Sequence, residues 1–373
     1  METAFVRLRP AESGSGAALP SINSSGLIIR QKEPRNLEFP FDQLDSYLTP
    51  VESFYIRSHF TAPRLQPDSY RLSVEGAVKN PFAITYDELK RLPPTTIVTT
   101  LECAGNSRVF LVPQMPGAQW ELGAVGTAEW TGVPLARLLE RSGLSGNACD
   151  VVLEGSDRGL PPELPRPPEP ISFSRSVPLE KALDDVLIAY LMNGVDLPND
   201  HGFPVRAIVP GHYGMASVKW LTHIRVLEEQ FKGYWQTTDY AYWDEVDGIP
   251  VRRPLSEIML KSEIARPRTL EVVRKGQLYR VYGAAWGGVA DVVTVELTVD
   301  GGLTWATANF LDPVRPHAWR RWSYDWKTPD HPVRCTLMSR AKNAAGESQP
   351  DKFDPKYSSY VVHYTLPIEV VVQ

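Results

Sequence analysis

One cysteine stands where a strand gives way to a turn. Thr95-Thr96-Ile97-Val98-Thr99-Thr100-Leu101-Glu102 reads as a strand, because its β-branched residues suit a pleated surface. Ala104-Gly105-Asn106 behind it is turn chemistry, since Gly and Asn tolerate positive φ. Cys103 between them can face a cleft, where a thiolate is a soft, strongly donating ligand for a transition metal. The alternative, a small buried hydrophobe, stays open at this point. Single polar residues recur at other strand-to-turn junctions: Arg57, His59, Arg108, Asp157, His201, Arg206 and Lys219. Arg and Lys near a metal would suit an anionic cofactor or an oxyanion substrate, with Arg offering a bidentate fork. Each alone is an ordinary ion pair or turn contact; only the set is informative.

Other chemistries find no template. The chain contains no His-Glu-x-x-His, no Gly-x-Ser-x-Gly, no phosphate-loop lysine and no Gly-x-Gly-x-x-Gly between a strand and a helix. Its three cysteines, 103, 149 and 335, are too scattered for a disulfide framework or a paired zinc site. A net charge of −5 argues against nucleic acid as a partner. No apolar run is long enough to span a membrane. Met1 to Pro20 shows neither an apolar signal core nor a twin-arginine pair, so a cytoplasmic location is expected, or a periplasmic one if a leader has been removed.

The elements that must position these residues can be sketched. With 373 residues, 33 prolines and 26 glycines, the chain has room for two loop-rich, strand-dominated domains. Residues 1–25 read as a mobile tail. A first domain, 26–250, carries expected strands at Ser53–Phe60, Tyr70–Gly76, Thr95–Glu102, Val151–Gly155, Ala207–Val209 and Val218–Leu221. Helices are expected over Asp87–Leu92, Val133–Arg141 and Pro178–Leu191. Six prolines make 159–170 an irregular loop. From 251 to 373 short strands recur: Tyr279–Ala284, Val292–Val299, Trp305–Asn309, Trp319–Trp326, Arg334–Ala341 and Tyr360–Val372. That spacing predicts an all-β, immunoglobulin-like sandwich.

The set of blocks resembles the sulfite oxidase family, which also contains eukaryotic assimilatory nitrate reductase. Leu101-Glu102-Cys103-Ala104-Gly105-Asn106-Ser107-Arg108 is similar to the family's molybdenum signature. Tyr55-Ile56-Arg57-Ser58-His59 is similar to its Val-Arg-Asn-His segment, and Asp200-His201-Gly202-Phe203-Pro204-Val205-Arg206 and Ser217-Val218-Lys219-Trp220-Leu221 agree in order and spacing. Gly283-Ala284-Ala285-Trp286 and Asp300-Gly301-Gly302 resemble its dimerisation domain. The resemblance implies an α+β molybdopterin-binding domain of mixed sheets and short helices, followed by the sandwich. It implies a molybdenum–molybdopterin cofactor, with neither haem nor flavin carried on this chain. Cys103 would be the metal ligand. Tyr55, Ile56, Arg57, Ser58, His59, Asp157, His201, Arg206, Ser217, Val218 and Lys219 would bind the cofactor. Arg57, Arg108 and Tyr240 would act on the substrate. The implied reaction is two-electron oxygen-atom transfer, most simply sulfite to sulfate, with reduction of nitrate or of an S- or N-oxide as the alternative; a binding protein that has lost the cofactor is a further reading. Implied partners are a small oxyanion substrate, a separate electron carrier such as a cytochrome, and a second copy of the chain.

The pattern also departs from the family. Lys356-Tyr357-Ser358-Ser359-Tyr360-Val361 carries no arginine where the family's sulfite oxidases have one, and Ser107 replaces a frequent arginine. Fewer cations imply weaker hold on a dianion. Arg320 or Arg321 is the candidate to compensate.

Overall fold

The computed structural model describes residues 22–162, 164–288 and 290–373. The tail expected over 1–25 therefore lies outside the described residues up to 21. Residues 22–26 form a turn in which Asn23 accepts from the amides of Ser25 and Leu27, and Ile22 bridges Ile28.

Two five-stranded sheets build the N-terminal part. In one, Thr95–Glu102 pairs along its whole length with Val125–Pro134, which pairs in turn with Leu187–Met192; Val195–Asp196 and Arg206–Ile208 both pair with Leu187–Met192. The other runs Phe82–Thr85, Arg71–Gly76, Leu221–Leu227, Asp150–Gly159, Ile171–Pro178. Burial along Thr95–Glu102 rises from exposed at Thr95 to fully buried over Thr99–Glu102, so this strand carries Cys103 into the interior. Short helices cover the sheets. Tyr86–Arg91 opens with a complete capping box, Thr85 Oγ1 accepting from the Glu88 amide and the Glu88 carboxylate from the Thr85 amide.

The C-terminal part is the expected sandwich. Lys261–Arg266, Leu278–Trp286, Arg320–Lys327 and Asn309–Phe310 form one sheet, and Val272–Val273, Ile368–Val372, Val333–Asn343, Val292–Thr298 and Ala306–Thr307 the other. Their inner faces meet in a separate core that includes Val281, Val295, Trp322, Leu337 and Val370. A hairpin, Ala241–Val246 with Ile249–Pro254, joins the two parts, and the 250/251 division drawn from sequence passes through it. No helix among the described residues is long and apolar enough to cross a membrane.

Five expected elements differ. The strand over Trp305–Asn309 is split into Ala306–Thr307 and Asn309–Phe310, which belong to different sheets. The helix over Pro178–Leu191 stops at Asp184, and Leu187–Met192 is a central strand; buried on both faces, it shows a continuous apolar run that helical spacing also fits. Val218–Trp220 is loop, with Trp220 at φ +49°, and the strand starts at Leu221. Ser53–Phe60 keeps only Ile56–Arg57 as strand, behind a 3-10 turn at Val51–Ser53. Tyr360–Val372 is a strand only from Ile368. Its first residues instead return to the N-terminal part, where Val361 N donates to Ala104 O at 2.8 Å.

Candidate active site

Cys103 lies at the buried end of its strand, its amide bonded to Ala124 O at 2.9 Å and its carbonyl accepting from Asn106 N at 2.8 Å. Asn106 fixes the turn through its side chain, which reaches Glu102 Oε1 (3.1 Å), Leu122 O (3.3 Å) and Ala124 N (3.0 Å). The positive φ falls on Ser107, at +67°, and not on Gly105 or Asn106. Gly105 is needed for a different reason: a Cβ there would lie 2.4 Å from Arg108 Nη2. Burial pushes the Cys103 thiol up, while Arg57 and Arg108 pull it down.

One pocket gathers Tyr55, Arg57, Ser58, His59, Cys103, Asp157, His201, Arg206, Ser217, Val218, Lys219 and Tyr240. Segments from both sheets and from the loops between them supply these residues. Lys219 Nζ donates to Ser58 Oγ (3.0 Å) and Asp200 O (2.8 Å). Arg206 donates to the carbonyls of His201 and Ser217, each at 3.0 Å, and lies 4.9 Å over the Trp130 ring. Ser217 Oγ accepts from Val209 N at 3.0 Å. His59 stacks on Phe173, and its Nε2 is 2.6 Å from the Tyr240 hydroxyl.

Two residues named from sequence stand outside this lining. Ile56 turns into the hydrophobic core, as the alternation of an extended segment between Tyr55 and Arg57 requires. Arg108 is pinned: its Nε donates to Ser359 O (2.8 Å), its Nη1 to Ala118 O (3.0 Å), and its guanidinium lies 5.1 Å over the Tyr360 ring. Its charge is felt at Cys103, but its Nε and Nη1 are held by backbone carbonyls. Arg320 and Arg321 face elsewhere, onto Phe310 and Asp312 respectively. Sequence reasoning missed Phe54, Phe173, Asp200, Met215 and Trp220 in the lining. Asp200 and Trp220 sat inside quoted blocks, whereas Phe173 and Met215 carried no signal apart from their hydrophobicity.

The charge of this pocket is unusual. Burial pulls Arg206 down to about 10, Lys219 down to about 7 and His201 down to about 3, with neighbouring cations depressing Lys219 and His201 further. Burial also lifts Asp157 far above the carboxylate range, and its Oδ1 is buried with no hydrogen-bond partner. Crowded buried cations and an unpartnered acceptor fit a bound group that is anionic at one end and offers N–H donors at another. A pterin phosphate is such a group. Together with a thiol at the pocket wall, the donor set fits a molybdopterin.

Pocket, thiol and docked sandwich together define the class of molybdopterin oxidoreductases, and comparison with known proteins agrees. The family model described as "Oxidoreductase molybdopterin binding domain" matches residues 59–235, and "Mo-co oxidoreductase dimerisation domain" matches 252–360. The sulfane dehydrogenase SoxCD of Paracoccus pantotrophus has a similar structure, with a TM-score of 0.80 and 26% identity over 97% of this chain and 95% of that one. Sulfite oxidase of Arabidopsis thaliana is 34% identical over 88% of this chain and 89% of its own. Mitochondrial sulfite oxidase of Rattus norvegicus is 34% identical over 93% of this chain, which spans 65% of the rat protein's length. The chain belongs to the sulfite oxidase family.

Proposed function

We propose that this protein is a molybdenum oxidoreductase that oxidises sulfite to sulfate and passes two electrons to a separate carrier. The observation that carries the reading is the convergence of twelve residues, drawn from positions 55 to 240, on one pocket with Cys103 in its wall. When bound, the molybdenum–molybdopterin group supplies oxygen-atom transfer and the two-electron change. Cys103 holds the metal as thiolate; Arg206, Lys219, Ser217 and His201 hold the phosphate; Tyr55, Ser58, His59 and Asp157 orient the pterin. Arg57 attracts the oxyanion. His59 is kept neutral by burial and by Arg57 and Lys219, so it can donate from Nε2 to the Tyr240 oxygen and leave the phenol proton for a substrate oxygen. Burial holds the Tyr240 phenol well above its ordinary value, so it stays a donor.

A second reading, reduction of nitrate or of an S- or N-oxide, is favoured by the pinned Arg108, because a monoanion or neutral oxide needs fewer cations. The sandwich is proposed to pair two copies of the chain, and the electron carrier to be a separate protein such as a cytochrome. Molybdenum analysis with two assays, sulfite with ferricyanide and nitrate with reduced viologen, tests the set. The expected result is about one molybdenum per chain and sulfite turnover. Cys103→Ser should keep the fold and abolish turnover, and full activity in that variant defeats the reading.

A further inference from the structure

The cysteine loop is gripped from behind by the sandwich, and the grip is ionic. Lys261, in the sandwich's first strand, is 1% exposed, and its Nζ lies 3.2 Å from Glu102 Oε1, 2.8 Å from Ser107 Oγ and 3.4 Å from Glu263 Oε1. Glu102 and Glu263 are as deeply buried, at 2% and 3%. The second oxygen of Glu102 accepts from Trp286 Nε1 at 2.9 Å, and its first also accepts from Asn106. Two side chains of the sandwich thus hold the residue just before Cys103, and one of them also holds Ser107, four residues after it. No residue of this cluster lines the pocket.

Burying one ammonium with two carboxylates is a poor way to gain stability, because desolvation consumes most of the Coulombic gain. What such a cluster does supply is geometry. A hydrophobic contact would let the turn shift by tenths of an ångström, whereas Lys261 fixes Glu102 and Ser107 relative to one another. We propose that Lys261 is a positioning residue for the metal-ligating loop, holding Glu102 and Ser107 so that the Cys103 sulfur is presented to the metal in one orientation. The inference rests on Cys103 being the metal ligand. It gives the sandwich a part in the chemistry of the site.

The test uses the full-length, cofactor-loaded protein. Glu102→Gln with Lys261→Met removes the Lys261–Glu102 pair from both sides, a change that cores tolerate; Glu263, its pKa already raised by burial, is left to take up a proton, and the amide oxygen introduced by Glu102→Gln can still accept from Trp286. The expected outcome is unchanged molybdenum content, a shifted thiolate-to-molybdenum absorption band, and kcat for sulfite lowered about tenfold with KM within about twofold, the size of effect common for groups behind a metal ligand. Ser107→Ala, too small a change to threaten the fold, should shift the same band and lower kcat about threefold. Arg321→Met breaks a different contact between the two parts, to Asp45 O, and should leave band and kcat as in wild type. Wild-type band and kcat in both loop-contact variants overturn the proposal, as does an equal shift in Arg321→Met. If the double variant does not fold, the band of Ser107→Ala decides. Wild-type protein without molybdenum overturns the metal-site reading and this one with it; loaded wild type with unmoved variants overturns this one alone.

Discussion

Replacing Lys219 by methionine should separate cofactor binding from stability. Its ammonium makes two hydrogen bonds, to Ser58 Oγ at 3.0 Å and Asp200 O at 2.8 Å, in a pocket that also holds Arg206 and Arg57. Burial moves its pKa from 10.5 to about 7. The unfolded chain therefore binds the extra proton between about pH 7 and 10.5. Charged Lys219 costs stability in full below that window, and the cost fades as pH rises through it. Two charge-assisted bonds at about 1.5–3 kcal/mol each oppose a desolvation penalty of several kcal/mol, so their sum is near zero or unfavourable. Cofactor-free Lys219→Met should melt within about 2 °C of wild type at about pH 6.5, or above it. Anion affinity should fall, because one lost charge-assisted contact of about 1.5–3 kcal/mol is roughly 10- to 150-fold. Thermal shift with sulfate, a tetrahedral dianion that does not titrate here, reads both effects. Wild type should gain more from sulfate at about pH 6.5 than at about pH 8.5, because above about 7 Lys219 must take up a proton to bind. The variant's response should be smaller than that of wild type at about pH 6.5. A variant that melts several degrees lower yet keeps the wild-type sulfate response refutes the reasoning.

Four further outcomes follow from other parts of the structure. Tyr240→Phe removes the hydroxyl 2.6 Å from His59 Nε2, and steady-state kinetics should show kcat lowered about 10- to 100-fold with KM little changed. The wild-type pH–rate profile should show no step from His59 between about pH 5 and 8, because burial with Arg57 and Lys219 nearby holds its pKa well below that range. Gly105→Ala places a methyl 2.4 Å from Arg108 Nη2 and should cost about 1–3 kcal/mol in chemical denaturation. Thr85→Ala should cost about 1 kcal/mol through loss of its capping box, with activity unchanged.

Much of the pocket could be read from the chain because its residues sit at turns after strands, where Gly, Pro and Asn punctuate the pattern. Thr95–Glu102 and its cysteine needed only β-branched residues and a following turn. Leu187–Met192 was illegible for a physical reason: a strand buried on both faces has no alternation, and its apolar run continues the preceding helix's pattern. Arg108 illustrates a second limit. Its position next to the cysteine loop is local and readable, but the carbonyl of Ser359 that pins it comes from 251 residues away. Ile56 was included because its neighbours belong to the pocket, and strand geometry sends it the other way.

The segment 359–361 explains why the missing C-terminal arginine changes more than a count of cations. Ser359 O takes a hydrogen bond from Arg108, and the Tyr360 ring covers the same guanidinium at 5.1 Å. Tyr360 also packs on Tyr240, with ring centroids 5.0 Å apart, and its hydroxyl donates to Asp239. Asp239 in turn caps the amide of Tyr240, which sits at φ +48°. An arginine in place of Tyr360 would compete for Asp239 and repel Arg108. The tyrosine does neither, so the same short stretch draws Arg108 out of the lining and braces Tyr240 into it. The thiol end of the pocket is left with one guanidinium, Arg57, and one neutral donor, Tyr240. A dianion held by a single fork and a phenol loses one charge-assisted contact relative to a two-arginine site. On the proposed reading, specificity at this end therefore rests on the hydrogen-bond geometry of Tyr240 more than on net charge.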